Sequence, residues 1–180
     1  MTRTAYYTAC TLDGFIATPD HSLEWLLTRD IDNEGPMSYE SFSKDIGACA
    51  MGANTWQWIL DHDADGWSPK PTWVLTHRDF APSDQVRFTH DDVAVVHAEM
   101  AEAAGDQDLW VVGGGELVGR FHDAGLLDEV WLQYAPVTIG QGAPVLPRHV
   151  ELRLEDVARN RDFACARYAV VKPPSADAAP

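Results

Sequence analysis

The 180-residue chain is poor in positive charge: 13 Lys and Arg stand against 28 Asp and Glu, a formal net charge of −15. Counterion release on nucleic acid requires clustered cations, and no basic patch is present, so nucleic acid is excluded as a partner. Cysteine is also scarce. Cys10, Cys49 and Cys165 are odd in number, widely spaced and set among apolar neighbours, which supports neither a disulfide framework nor a zinc pattern. Buried thiols in a reducing cytosol are the expectation. The histidines, among them His62, His90, His97, His122 and His149, lie scattered without paired ligand spacing, and no metal site is expected. Asp61-His62-Asp63-Ala64-Asp65-Gly66 has the outline of a calcium loop but lacks its closing glutamate, and reads as a solvated loop. No apolar run reaches the length of a membrane span, and the N-terminus lacks the charged-then-apolar pattern of a secretion signal. The expectation is therefore a cytoplasmic protein without a membrane partner. No internal repeat is visible.

What is present suffices for one core: 46% apolar residues and seven tryptophans in a length that calls for a single domain. Residues 4–11 form a β-prone run that turns at Asp13-Gly14 into a short extended piece, Phe15-Ile16-Ala17. Ser22 is placed to cap a helical segment over 23–27, and Ser38 opens a helix whose inward face carries Tyr39, Phe42 and Ile46. Strands are expected at 48–51, 72–76, 93–96, 109–112 and 129–134, with helices at 54–60, 98–104 and 116–124 between them. Residues 152–157 and 163–171 read as a closing antiparallel pair. The domain spans residues 1–172, and the Pro- and Ala-rich tail 173–180 is expected to be disordered.

Strands that alternate with helices and are apolar on both faces imply an α/β fold with a central, mostly parallel sheet covered by helices on both sides. In such sheets ligands bind beyond the carboxyl ends of the strands. One strand end stands out. Leu109-Trp110-Val111-Val112 runs into Gly113-Gly114-Gly115, and Glu116-Leu117-Val118 then begins a helix. Three glycines let backbone pass close to a ligand, and the helix behind them points unpaired N–H groups and a positive dipole end at it, which suits phosphate. The same corner can also be a tight turn without a ligand. Gly52-Ala53-Asn54-Thr55 and Leu75-Thr76-His77-Arg78 are two further strand ends of suitable chemistry.

Taken in order, Thr11-Leu12-Asp13-Gly14-Phe15-Ile16-Ala17, Met51-Gly52-Ala53-Asn54-Thr55-Trp56, Leu75-Thr76-His77-Arg78 and Trp110-Val111-Val112-Gly113-Gly114-Gly115-Glu116-Leu117 resemble the signature segments of the dihydrofolate-reductase-like superfamily. The resemblance is closest to stand-alone proteins similar to the C-terminal reductase domain of the bifunctional riboflavin-biosynthesis deaminase-reductase. Pro136-Val137-Thr138-Ile139-Gly140-Gln141-Gly142 strengthens that subgroup. The resemblance implies an NADPH-dependent reductase of C=N or C=O bonds acting on a small planar substrate, with NADH not excluded. It implies that Ala9, Ile16 and Ala17 line the nicotinamide, that Gly52, Ala53, Asn54, Thr55, Leu75, Thr76, His77 and Arg78 flank the adenosine half, and that Val112, Gly113, Gly114, Gly115, Glu116 and Leu117 hold the pyrophosphate. It further implies a cis peptide between Gly113 and Gly114, and a homodimer with a two-fold interface on the C-terminal strands.

The chain departs from the family at three places. Ala53 stands where many relatives carry a base that pairs with the extra phosphate of NADPH, leaving that task to His77 and Arg78. Phe15 stands where riboflavin-pathway enzymes carry Lys or Arg, which argues against their phosphoribosyl substrate. Asp32, Glu34 and Glu40 give no match to the helix carboxylate that holds a pterin. Among candidate catalytic groups, Asp13 either relays a proton beside the nicotinamide or bonds the N–H groups of its turn. Gln133 either hydrogen-bonds a heterocycle, as its family position suggests, or faces solvent. Trp25 either stacks on a planar substrate or belongs to the core. A protein of the same fold that binds nucleotide without turnover, as sensor or partner, is the alternative reading.

Overall fold

Segments of alternating apolar period and helical period follow one another along the chain, and they fold in this order: β1 (Thr4–Thr11), β2 (Phe15–Ala17), α1 (Glu24–Leu27), α2 (Tyr39–Ser43), β3 (Ile46–Gly52), α3 (Ala53–His62), β4 (Thr72–Leu75), β5 (Arg87–Thr89), α4 (Val93–Ala104), β6 (Asp108–Gly113), α5 (Gly115–Asp123), β7 (Glu129–Ala135), β8 (Ala143–Pro144), β9 (Leu152–Asn160) and β10 (Phe163–Val170). The computed structural model describes residues 2–62, 67, 70–84 and 86–172. The tail 173–180 and residues 63–66 of the acidic loop lie outside the described residues.

Eight strands form one sheet in the order β5-β4-β3-β6-β1-β7-β10-β9. Neighbours from β5 to β7 are parallel, and β10 runs antiparallel to both β7 and β9. β2 and β8 pair separately as a small antiparallel ribbon. Successive strand residues point to opposite faces, and both faces are buried. Tyr6, Ala48, Ala50 and Val111 pack with Val96 and Met100 of α4 and with Val118 and Phe121 of α5. On the other face, Ala5, Tyr7, Cys49 and Trp110 pack with Phe42 of α2, while Met51 and Val74 pack with Trp56 and Ile59 of α3. The result is a single α/β domain of the expected class. Burying a side chain such as Phe121 contributes about 1.5–3 kcal/mol.

Two expected elements change. Val93–Val96 is the first turn of α4 rather than a strand, and the strand lies earlier, at Arg87–Thr89. Asp92 decides this: its side chain accepts from Ala94 N at 2.9 Å and caps the helix, so a β-branched run starts a helix against its propensity. Ile46 opens β3 instead of closing the preceding helix, and within α2 it is Phe42 that turns inward while Tyr39 stays 41% exposed. Ser38 does cap that helix, accepting from Ser41 N, whereas α1 starts at Glu24 with Leu23 at its N-cap position, so Ser22, which accepts from Glu24 N at 3.2 Å, is one residue too early to cap it.

The three cysteines are buried and unpaired, and burial pushes the Cys10 and Cys49 thiols up to about 12. The outer strand β9 leaves Leu154 and Val157 exposed, interspersed with Arg153, Glu155 and Asp156, a charge pattern that discourages edge pairing. Between α1 and α2, residues 30–36 are pinned to the β9–β10 hairpin by the buried Asn160, whose amide donates to Asp32 O and Pro36 O and accepts from Asp32 N.

Candidate functional site

The carboxyl ends of β4, β3, β6, β1 and β7 open into one cleft of about 840 Å3, where parallel sheets bind ligands. Its centre is the glycine corner. β6 ends at Gly113 with φ +147°, a conformation that L side chains rarely adopt, and a cis peptide joins Gly113 to Gly114 as the family resemblance implied. At Gly115 a Cβ would fall on the carbonyl oxygens of Pro144 and Val145, so the strap after β8 lies directly on the helix start. A Cβ at Gly113 or Gly114 would meet nothing nearer than 3.7 Å, because both residues face open cleft. Two helices begin here: α5 behind the corner and α3 immediately after Gly52. Their first turns leave N–H groups without intrahelical acceptors and present positive dipole ends to the same space. Arg78 and Arg120 stand on its rim. A backbone cradle, two helix N-termini and two cations make a donor set that fits a diphosphate despite the acidic surface.

Of the residues assigned to the cofactor, Ala9, Ile16, Ala17, Gly52, Ala53, Asn54, Thr55, Leu75, Arg78, Val112, Gly113, Gly114, Gly115, Glu116 and Leu117 all line this cleft. Thr76 and His77 do not: Thr76 Oγ1 accepts from Arg78 N at 2.8 Å, and the His77 ring lies 5.9 Å from His90. Trp25 also falls outside it, 8% exposed among Met37, Phe163 and Cys165, and its chain neighbours on the cleft are Leu23 and Leu26. Asp32, Glu34 and Glu40 are absent from the lining.

Asp13 is a brace rather than a cleft residue. Its carboxylate accepts from Thr11 Oγ1 at 2.6 Å, Ile139 N at 3.1 Å and Gly140 N at 2.7 Å, and so ties the β1–β2 turn to the loop before β8. The Thr11 hydroxyl first, then these N–H groups, hold its pKa below the ordinary value, which leaves an ionised group with no proton to relay.

On the face of the sheet covered by α2 and α3 the lining becomes aromatic. Tyr7 and Trp110 share one face of the sheet and meet edge to face at 6.5 Å, and Tyr39 approaches Trp110 at 5.6 Å. Trp58, Trp67 and Phe163 extend the wall. Tyr7 donates its hydroxyl to Met37 O, and burial raises its pKa. Gln133 lies in register with Ala9 of β1 and Cys165 of β10, on that same face. It is 2% exposed, and neither Nε2 nor Oε1 has a hydrogen-bond partner among the described residues. A buried amide left unpaired costs about 1–3 kcal/mol per group. Alternation along β1 and β6 signals Tyr7 and Trp110, two residues before Ala9 and Val112 respectively. Tyr39, His21 and Arg120 carry no comparable signal.

The RibD C-terminal domain family matches residues 59–163, more than half of the chain. The chain belongs to this family. It is 28% identical over 158 residues to the uncharacterized protein YwjB of Bacillus subtilis, covering 85% of this chain and 89% of that one. Among solved structures it superposes with a TM-score of 0.81 on a protein from Shewanella sp. PV-4 with a proposed role in riboflavin biosynthesis, at 22% identity over 94% of this chain and 99% of the other. A diaminohydroxyphosphoribosylaminopyrimidine deaminase/5-amino-6-(5-phosphoribosylamino)uracil reductase from Thermotoga maritima gives 0.63 at 16% identity, covering 94% of this chain and 57% of that longer one. These likenesses establish a RibD-reductase-like fold. Among the described residues no helix is long and apolar enough to cross a membrane, and no three His, Cys, Asp or Glu side chains converge on a metal position.

Proposed function

We propose that the protein is an NADPH-dependent reductase of a C=N or C=O bond in a small planar substrate. The observation that carries this is the meeting, in one cleft, of a backbone cradle at Gly113–Gly115 with an aromatic wall at Tyr7, Tyr39 and Trp110. Bound there, NADPH supplies a hydride to the acceptor carbon, leaving NADP+, while the acceptor heteroatom takes a proton. The corner and the first turns of α3 and α5 hold the diphosphate. Ala9, Ile16 and Ala17 supply a flat apolar seat for the nicotinamide beside β1, and Arg78 takes the adenosine phosphate that Ala53 cannot. Glu116 is the sole carboxylate among the described lining residues, and it is engaged with Arg148 at 3.0 Å. With no free carboxylate in the described lining, the proton comes from His21 or from water at the open side of the cleft, and the protein's work is positioning.

The lack of a free carboxylate among the described lining residues favours a second reading, a binder of NADPH without turnover. One experiment covers both. Trp58, Trp67 and Trp110 line the cleft, so titration with NADPH should quench tryptophan emission saturably. Loss of NADPH absorbance with a panel of pterins, quinones and aldehydes then marks the enzyme. Quenching with no oxidation marks the binder, and no quenching removes both.

A further inference from the structure

Few groups in the described lining of the cleft are able to give up a proton. Glu116 is paired with Arg148, and Arg78 and Arg120 are guanidinium groups that keep theirs. Tyr7 donates its hydroxyl to Met37 O, and burial pushes the pKa of both Tyr7 and Tyr39 up, away from use as acids. His21 is left, and imidazole is the side chain that both gives and takes a proton near neutral pH.

The local chain explains how this ring comes to the cleft. Ile16 and Ala17 lie on one side of it in sequence, at the proposed nicotinamide seat, and Leu23 and Leu26 lie on the other, all four in the lining. Thr18 closes the turn between them: its N–H donates to Ser22 O, its carbonyl accepts from His21 N at 2.9 Å, and its hydroxyl accepts from Ser22 N at 2.9 Å and donates to Asp20 Oδ1 at 2.6 Å. The turn holds His21 at φ +63°, where glycine is least strained. A side chain kept in that conformation beside a cleft points to a use beyond making the turn. The ring belongs to the lining and is also exposed, so it can face an acceptor and exchange protons with solvent. The Thr18 hydroxyl first, and the His21 charge to a lesser degree, hold the Asp20 carboxyl below its ordinary pKa, so an ionised carboxylate stands beside the imidazolium. Building on the reductase reading, we infer that His21 is the general acid, giving its imidazolium proton to the acceptor heteroatom as hydride reaches the acceptor carbon. The π pair of the C=O or C=N bond goes to the heteroatom, which takes the proton, and the neutral imidazole recovers a proton from solvent.

The test gives the full-length protein NADPH and two acceptors of different need. Nitrobenzaldehyde becomes a strongly basic alkoxide unless an acid protonates it, whereas naphthoquinone becomes a stabilised aryloxide and needs none. Glycine fits φ +63° and asparagine tolerates it, so His21→Gly and His21→Asn should keep the turn. Both variants are expected to lose about a hundredfold or more in kcat with nitrobenzaldehyde, while naphthoquinone reduction and NADPH quenching of tryptophan emission stay near wild type. Wild-type kcat with the aldehyde should fall as pH rises through the imidazole range, and the variants should lack that fall. Imidazole added to His21→Gly should restore part of the aldehyde rate, which a merely structural role would not produce. Without turnover, the NMR resonance of the His21 ring, recognised by its loss in His21→Asn, should change its titration midpoint when NADP+ and nitrobenzyl alcohol bind. Equal losses with both acceptors, an unaltered aldehyde kcat, a silent His21 resonance, or a wild-type protein that reduces the quinone alone each overturns the inference. If wild-type protein binds no NADPH, or oxidises it with neither acceptor, it is the reductase reading that fails, a result read before any variant is made.

Discussion

The two sides of the cleft are built from different material. The glycine corner is backbone: its shape comes from three residues without side chains, a cis peptide and two helix starts, and its chemistry is that of aimed N–H groups. The aromatic wall is side chain: Tyr7, Tyr39, Trp110 and Gln133 come from β1, α2, β6 and β7 and meet only in the fold. The first surface suits the invariant part of a dinucleotide, where geometry matters and identity is fixed. The second can change one residue at a time, and substrate choice therefore belongs there.

Breaking the backbone side should have the largest effect. Gly115→Ala puts a Cβ onto the Pro144 and Val145 carbonyls, and displacing the strap is expected to lower stability by about 1–3 kcal/mol. Urea unfolding measures that loss, and NADPH titration should show binding abolished in whatever remains folded. Arg78→Ala attacks the same side without touching its shape. The guanidinium is exposed and makes no ion pair among the described residues, so Tm should stay put, while losing a charge-assisted phosphate contact weakens NADPH binding by about tenfold or more. NADH affinity should hardly move, and an equal loss for both nucleotides would place Arg78 away from the adenosine phosphate.

Smaller effects come from the supports. The folded-state pKa of Asp13 is depressed, so its bonds to Thr11, Ile139 and Gly140 stabilise the protein above the ordinary carboxylate range and fade as pH falls through the folded value. Asp13→Asn should lower Tm at neutral pH, with the gap to wild type closing in acid, and should loosen the strap over the corner without altering the aromatic wall. His97 gives the mildest effect. Its ring bonds Thr4 Oγ1 at 2.9 Å, and burial, opposed by Asp128 and assisted by Lys172, depresses its pKa. Stability from this site is present above the unfolded value of about 6.5 and declines as pH drops below it. His97→Gln should flatten that decline in a pH series of thermal melts, with no change in NADPH affinity.

The same contrast explains what could be read without coordinates. The corner, the strand end at Gly52 and the rim at Arg78 are continuous runs of sequence, and period-2 patterning placed most strands around them. The wall is a tertiary object. Gln133 is open between pocket and solvent in the sequence because one strand residue looks the same facing either way, and only the register with Ala9 and Cys165 assigns it to the buried face. Trp25 showed the converse error: an aromatic beside a loop near the site, yet turned into the core against Phe163. Val93–Val96 misled through β-branching, because a single capping carboxylate at Asp92 outweighed propensity. Asp13 was legible as a turn residue, but its long bonds to residues 139 and 140 depend on a loop over 120 positions away in the chain.

Calorimetric titration of the protein with NADPH bears most directly on the claim that the glycine corner holds a diphosphate. Saturable heat with one nucleotide per chain, matched by weak or absent heat from nicotinamide riboside, which lacks the phosphates, is the expected result. Equal binding of the two, or no heat from either, would contradict it.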